Sequence, residues 1–257
     1  MADEVLCEAA NGVVTIQINR PDKRNALNGA VLRGLSEHFA RLESDPTVRC
    51  IVVRGAGRAF CSGMDLDEMK AQQAQAADPE SAAVKICQQI EGSRHPTIAV
   101  VQGDAYAGGC ELALHCDLRL AADVARFCMP LARLGLVVPF PLGQKLVEIA
   151  GPAHTRQILL TGQPVSAARA LEMGMVHQVV PLAELDALAA STARTIADNA
   201  PLSLSGMKQV IARAISARAQ IPYDDLDELA RRARKTGDAR EGVRAMLEKR
   251  RPQFRGE

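Results

Sequence analysis

Short apolar runs alternate with stretches of helical periodicity over the first 180 residues. Val13–Ile18 (VVTIQI) reads as a strand that ends at Arg20-Pro21-Asp22. Asn28 stands where it can cap a helix carrying Val31, Leu32, Leu35, Phe39 and Leu42 on one face. Cys50-Ile51-Val52-Val53 and Thr97-Ile98-Ala99-Val100-Val101 are continuous apolar runs, the pattern of strands buried on both faces. Residues 118–121 (LRLA) and 176–180 (VHQVV) are weaker strands of the same kind. Strands separated by helices predict an α/β core with crossover connections. The pattern changes at Leu182, where an Ala-rich helix begins. Two or three more helices follow up to Lys249 with no strand between them. The chain therefore divides into a core over residues 1–190 and an all-helical region over 191–257. Residues 72–83 (QQAQAADPESAA) are polar and small and read as mobile.

Composition narrows the classes of function. The 257 residues make one large domain or two small ones and suffice for a sizeable core. Lys and Arg number 31 against 30 Asp and Glu, which excludes a general nucleic-acid binder and a polybasic membrane clamp. Aromatics are 3% with no Trp, too few for platforms that stack single-stranded bases. No uncharged apolar stretch approaches the roughly 20 residues of a membrane span, and the opening MADEVLCEAANG lacks the layout of a signal peptide. Seven cysteines, odd in number and without a C-x-x-C, fit reduced thiols in a cytoplasmic protein, not a disulfide framework or a zinc site. The histidines fall in no ligand spacing, so no metal is expected. The dense run Arg231-Arg232-Ala233-Arg234-Lys235 reads as a solvated helix face, a subunit interface or a site for a phosphorylated ligand.

Two glycine-bearing segments stand out. Gly55-Ala56-Gly57-Arg58-Ala59-Phe60-Cys61-Ser62-Gly63-Met64-Asp65-Leu66 follows one buried strand. Gly103-Asp104-Ala105-Tyr106-Ala107-Gly108-Gly109-Cys110-Glu111-Leu112 follows another and opens a helix. Both put permissive backbone at the carboxyl end of a strand, where α/β proteins gather ligands. A helix start adds unpaired N–H donors and partial positive charge. Converging loops of this kind make an oxyanion hole, or else ordinary turns. They do not read as phosphate cradles, for neither a G-x-x-x-x-G-K-[ST] nor a helix-opening G-x-G-x-x-G is present.

These segments, in this order and separation, resemble those of the enoyl-CoA hydratase/isomerase (crotonase) family. The resemblance runs nearly end to end. Arg20-Pro21-Asp22-Lys23-Arg24-Asn25-Ala26-Leu27-Asn28 is similar to the family's CoA-contacting segment. Cys116-Asp117-Leu118-Arg119-Leu120-Ala121 with Ala125-Arg126-Phe127, Thr161-Gly162 with residues 167–180, and Glu241-Gly242 with residues 248–254 are similar to later family segments. The resemblance implies an α/β spiral of repeated ββα turns with a C-terminal all-helical trimerisation region, and a homotrimer or dimer of trimers. It implies an acyl-CoA thioester as substrate and no separate cofactor. By position it assigns the oxyanion N–H groups to Ser62 and Gly108, and CoA or substrate contacts to Lys23, Arg24, Ala26, Leu27, Gly63, Met64, Asp65 and Lys249. A neighbouring subunit is the expected destination of Lys249, whose ammonium suits a phosphate.

Hydratases of the family carry two glutamates, and Glu111 occupies the place of the first. The second place is Leu131, and the loop expected to hold the reacting water reads Val138-Pro139-Phe140-Pro141-Leu142-Gly143. Adding water needs a base for the water and an acid for the α-carbon. Leu131 and Phe140 in the same corner predict weakened hydration. An oxyanion hole with one carboxyl suits instead a double-bond shift through a dienolate, or an enolate formed by decarboxylation. A binding protein without catalysis and a purely structural trimer are the remaining readings. Among substitute groups, Asp65 reads as the cap of the next helix and Glu148 as surface. Tyr106, where an apolar residue is usual, offers a phenol, and His115 lies one helical turn beyond Glu111.

Overall fold

The structure is a computed structural model and describes residues 3–72, 79–216, 222 and 224–255. In chain order its elements are β1 (Val5–Ala10), β2 (Val13–Ile18), α1 (Gly29–Glu43), β3 (Cys50–Gly55), α2 (Leu66–Gln72), α3 (Pro79–Gly92), β4 (Thr97–Val101), β5 (Ala105–Tyr106) and α4 (Gly108–His115). Then come β6 (Leu118–Ala122), β7 (Arg126–Cys128), α5 (Phe140–Thr161), β8 (Val165–Ser166), α6 (Ala167–Glu172), β9 (Gln178–Val180), α7 (Leu185–Ala197), α8 (Pro201–Ser216), α9 (Asp224–Arg234) and α10 (Gly237–Leu247). A six-stranded sheet has the order β1-β2-β3-β4-β6-β9, parallel except for the β1–β2 hairpin. A smaller sheet has the order β5-β7-β8. The chain passes repeatedly from one sheet to the other with helices between, which is the expected α/β spiral.

The continuous apolar strands work as anticipated. Ile51, Val53, Ala99 and Val101 join the main core against α1, α3 and α4. Their alternates Cys50, Val52, Ile98 and Val100 pack on the opposite face with Leu185, Ala189 and Ala193 of α7. Residue 190 thus falls inside a helix that covers the sheet. Asn28 accepts from the Val31 N–H at 2.8 Å as the cap of α1, and the five anticipated apolar residues are the buried ones. Strand β1 escaped the sequence reading because it is a sheet edge with exposed Glu8, Ala9 and Ala10, so no buried run marks it. Strands β5, β7 and β8 are two or three residues long, too short for periodicity. Of the stretch 72–83 expected to be mobile, residues 73–78 lie outside the described residues. Its flanks belong to α2 and α3.

Backbone contacts without side-chain room lock the two glycine segments together. The Phe60 and Cys61 N–H groups both donate to the Asp104 carbonyl, at 3.0 and 3.1 Å, and Tyr106 N–H donates to the Cys61 carbonyl at 2.9 Å. A Cβ on Gly109 would stand 2.2 Å from the Cys61 oxygen, and one on Gly103 1.9 Å from the Arg58 oxygen. Two buried amides gather the carbonyls of the first segment. Asn25 Nδ2 donates to Ala56 and Ala59, and Gln102 Nε2 to Gly55 and Ala59, all at 2.7–2.8 Å.

At the C-terminus, α10 lies against the turn Leu131–Leu134 so closely that a Cβ on Gly242 would meet Leu134 backbone at 2.5 Å. Met69, Leu134, Leu136 and Ala239 form a small apolar cluster there. Helix α8 is tied to the sheet by Lys208, which reaches Asp117 at 2.6 Å. It exposes Leu202, Met207, Val210 and Ile211. Among the described residues no helix is long and apolar enough to cross a membrane.

The close approach has a measurable cost when disturbed. Gly109→Ala is expected to lose about 1–3 kcal/mol or more in denaturant unfolding, the usual penalty of overpacking. Gly206→Ala in α8, where a Cβ meets nothing within 4 Å, is expected to gain about 0.5–1 kcal/mol. Equal effects of the two substitutions would contradict the interlock.

Candidate active site

A cavity of about 490 Å³ opens where the two glycine segments meet. Its rim carries Lys23, Arg24, Ser62, Asp67, Tyr106 and Lys249. Its walls come from Met69, Ala83, Met129, Leu131, Leu134, Leu136, Val138 and Leu142, and Met246 and Leu247 of α10 close one side. The helical C-terminus therefore completes the chain's own cavity.

The first segment is stitched to residues 24–27. Ser62 N–H donates to the Arg24 carbonyl at 3.0 Å, Leu27 N–H to Gly63 at 2.8 Å and Asp65 N–H to Leu27 at 2.9 Å. This corrects the expected role of Ser62, whose N–H is already spent on Arg24 and is not free for an oxyanion. The free donor is two residues on. Among the described residues, the Met64 and Gly108 N–H groups have no backbone acceptor. They are neighbours, since a Cβ on Gly108 would lie 3.9 Å from the Met64 nitrogen and one on Gly63 would lie 3.3 Å from the Gly108 nitrogen. Gly108 is the first residue of α4, so its N–H is one the helix leaves unpaired. Ala107 before it has φ 48° and ψ −120°, a conformation an alanine adopts at a cost of about 1–3 kcal/mol and one that gathers at functional sites.

Glu111 lies on the first turn of α4, is 1% exposed and contributes to the cavity wall. Neither of its carboxyl oxygens has a hydrogen-bond partner. Burial pushes its pKa well above the ordinary carboxylate range, because the charged form has lost water and gained no partner. His115 sits beside it, with Nδ1 2.8 Å from the Glu111 carbonyl oxygen and 3.9 Å from Oε2. Burial holds that imidazole down to about 4, so it stays neutral and supplies no cation to draw Glu111 into the ionised form.

The remaining expected residues fall into two sets. Lys23, Arg24, Ala26, Met64, Asp65 and Lys249 line the cavity, while Leu27 and Gly63 serve it through the backbone bonds above. Asp65 pairs with Arg20 at 3.0 Å and accepts from the Asp67 and Glu68 N–H groups, so it does cap α2. Tyr106 lines the cavity. Arg126 lies 6.0 Å from its ring centroid and is gripped by both Asp104 oxygens at 2.9 Å. Leu131 lines the cavity, but Phe140 does not, which corrects the shared corner expected of them. Pro139 and Leu142, three apart, turn to the cavity, and Phe140 lies about 100° around the helix from that direction. Glu148 is half-buried and shares Lys145 with Glu91, at 2.8 and 2.5 Å. Sequence reasoning missed Met64 as donor, the amide clamps Asn25 and Gln102, and the contributions of Met246 and Leu247. Asn25 carried a signal in its place within the quoted segment, but its φ of 56° shows only in three dimensions. Among the described residues no group of three or more His, Cys, Asp or Glu side chains converges as a metal site.

A family model described as enoyl-CoA hydratase/isomerase matches residues 8–257. A probable enoyl-CoA hydratase of Mycobacterium tuberculosis is 34% identical over 253 residues, 98% of each chain. The 1,2-epoxyphenylacetyl-CoA isomerase of Escherichia coli K12 is 33% identical over 261 residues that cover both chains fully. Among solved structures, a methylmalonyl-CoA decarboxylase in complex with 2-nitronate-propionyl-CoA superposes with a TM-score of 0.89 at 27% identity over 99% of each chain. End-to-end coverage by the family model and by these relatives, on a spiral of two sheets, places the chain in the enoyl-CoA hydratase/isomerase family.

Proposed function

We propose that the chain is an enzyme that stabilises the enolate of an acyl-CoA thioester between the Met64 and Gly108 N–H groups and moves a proton at the α-carbon through Glu111. The observation that carries this reading is the buried, unpartnered carboxyl of Glu111 on the same cavity as two free, adjacent backbone donors. An isolated buried carboxyl is costly to the fold, and such groups are kept where their proton is used. Each donor to a developing oxyanion contributes about 2.7–4 kcal/mol. The exposed Lys23, Arg24 and Lys249 at the rim suit the phosphates of CoA, which then needs no further cofactor.

Leu131 fills the wall where a second carboxyl would hold and activate water, so hydration is the weak reaction of this site. A neutral Glu111 also favours a second reading, decarboxylation. There the substrate carboxylate leaves as CO₂, its bonding electron pair passes into the enolate held by the two N–H groups, and Glu111 donates its proton to the α-carbon. The likeness to a methylmalonyl-CoA decarboxylase supports this alternative. Residues 191–257 serve assembly as well as the site, because the exposed apolar side chains of α8 offer a face for a homotrimer or a dimer of trimers. The seven free cysteines, six of them buried, suit a reducing cytoplasm.

Turnover of a panel of enoyl- and malonyl-type CoA esters tests the assignment. Glu111→Gln is expected to slow the active substrate by about 10²–10⁴-fold, the worth of general acid–base help, and unchanged rates would remove Glu111 from the reaction. The pH profile separates the readings. A proton-donating Glu111 gives a rate that falls as pH rises through its elevated pKa, whereas a proton-accepting Glu111 gives a rate that rises. Leu131→Glu is expected to raise hydration of a short enoyl-CoA by about tenfold or more. Stability provides an independent check. The folded pKa is raised, so the fold loses stability as pH climbs from the unfolded value near 4.3 towards the folded one, at about 1.4 kcal/mol per pKa unit. Thermal melts should therefore show Glu111→Gln gaining on wild type as pH increases from 5 to 9, and a constant gap would contradict a buried neutral acid.

A further inference from the structure

The polar and apolar parts of the cavity wall are separated along its depth. Lys23, Arg24, Asp67 and Lys249 are exposed and lie at the opening. Met69, Ala83, Met129, Leu134, Leu136 and Leu142 are buried and form the inner wall. Among the described residues the buried ionisable side chains of the lining are Asp65, which is paired with Arg20, and Glu111, both of them acids and neither a cation. Among the described residues that inner part holds no cation to pair with an anionic group carried at the far end of an acyl chain. An ionised carboxylate placed among these side chains would lose its hydration without a replacement.

The same wall is rich in methionine. Four of the eight methionines in the chain, Met64, Met69, Met129 and Met246, contribute to it. A methionine has three rotatable bonds and a polarisable sulfur, so it refills irregular space as a ligand changes length. Met246 is 37% exposed on α10, at the margin of the cavity, where its movement disturbs no core packing. Met69 belongs to the small cluster between α2, the Leu131–Leu134 turn and α10, separate from the main core.

Resting on the acyl-CoA reading of the site, we infer that its substrates carry an acyl group ending in uncharged hydrocarbon, aliphatic or aryl, and that the pocket discriminates by terminal charge and tolerates differences in length. Acyl groups with a distal carboxylate are rejected because the inner wall offers them no cation. Chains that differ by two or four methylenes are accepted because the methionines rearrange.

Hexanoyl-CoA and adipyl-CoA make the direct comparison, for they have the same number of acyl carbons and differ at the terminal carboxylate. Calorimetric titration of the full chain should find adipyl-CoA bound at least about 100-fold more weakly than hexanoyl-CoA. Hexanoyl-, octanoyl- and decanoyl-CoA should agree within about fivefold. Met246→Lys, a change at a half-exposed helix position, should improve adipyl-CoA binding by about tenfold or more and weaken hexanoyl-CoA. Equal affinity of wild type for hexanoyl- and adipyl-CoA overturns the charge rule. A loss of more than tenfold between hexanoyl- and octanoyl-CoA overturns the tolerance of length. Absence of binding by CoA and by every ester overturns the acyl-CoA reading itself, a result distinct from either of those.

Discussion

The site depends on two backbones approaching within a distance that only glycine allows. Gly109 lies where a single methyl group would overlap the Cys61 carbonyl, and Gly103 does the same against Arg58. This contact brings the end of the first segment against the start of α4. It leaves Met64 N–H and Gly108 N–H side by side and faces the first turn of α4 toward the cavity. Side chains could not hold two peptide units so closely, since any Cβ would force them apart. The buried amides of Asn25 and Gln102 complete the arrangement. They absorb the carbonyls of the first segment, so its backbone is fixed without using the N–H of Met64.

Glu111 is the second constraint, and it pulls against stability. A carboxyl with no partner in a 1%-exposed position disfavours its own ionised form. The neighbouring imidazole of His115 does not relieve it, being itself kept neutral by burial. The group is therefore poised to hold a proton until charge develops on a ligand beside it. The surrounding wall, apolar from Met129 to Leu142, keeps water away from that charge and makes the two backbone donors more effective than they would be in solvent.

Much of this was legible in the sequence, for identifiable reasons. The doubly buried strands β3 and β4 announce themselves as unbroken apolar runs, and α1 shows both its cap and its stripe. The two glycine segments were visible because their spacing is chemical and not merely structural. What stayed hidden depends on hydrogen bonds between distant segments. Ser62 and Met64 differ only in which N–H is taken by residue 24, and nothing local to either residue says so. Phe140 opens α5 beside the cavity, yet Pro139 and Leu142 are the residues of that turn that line it. The edge strand β1 and the short strands of the small sheet lack a buried face long enough to leave a period. The role of α10 as part of the cavity wall follows from Gly242 fitting against Leu134, a contact across more than a hundred residues of chain.

The central claim is that this cavity makes an enolate and that Glu111 handles the α-proton. Exchange of the α-hydrogens of butyryl-CoA for deuterium in D₂O, followed by NMR, reads that event without requiring the natural reaction to be known. The account predicts exchange catalysed by the wild-type chain and lost in Glu111→Gln while butyryl-CoA still binds. Equal exchange by both proteins, or none by the wild type with butyryl-CoA bound, would contradict it.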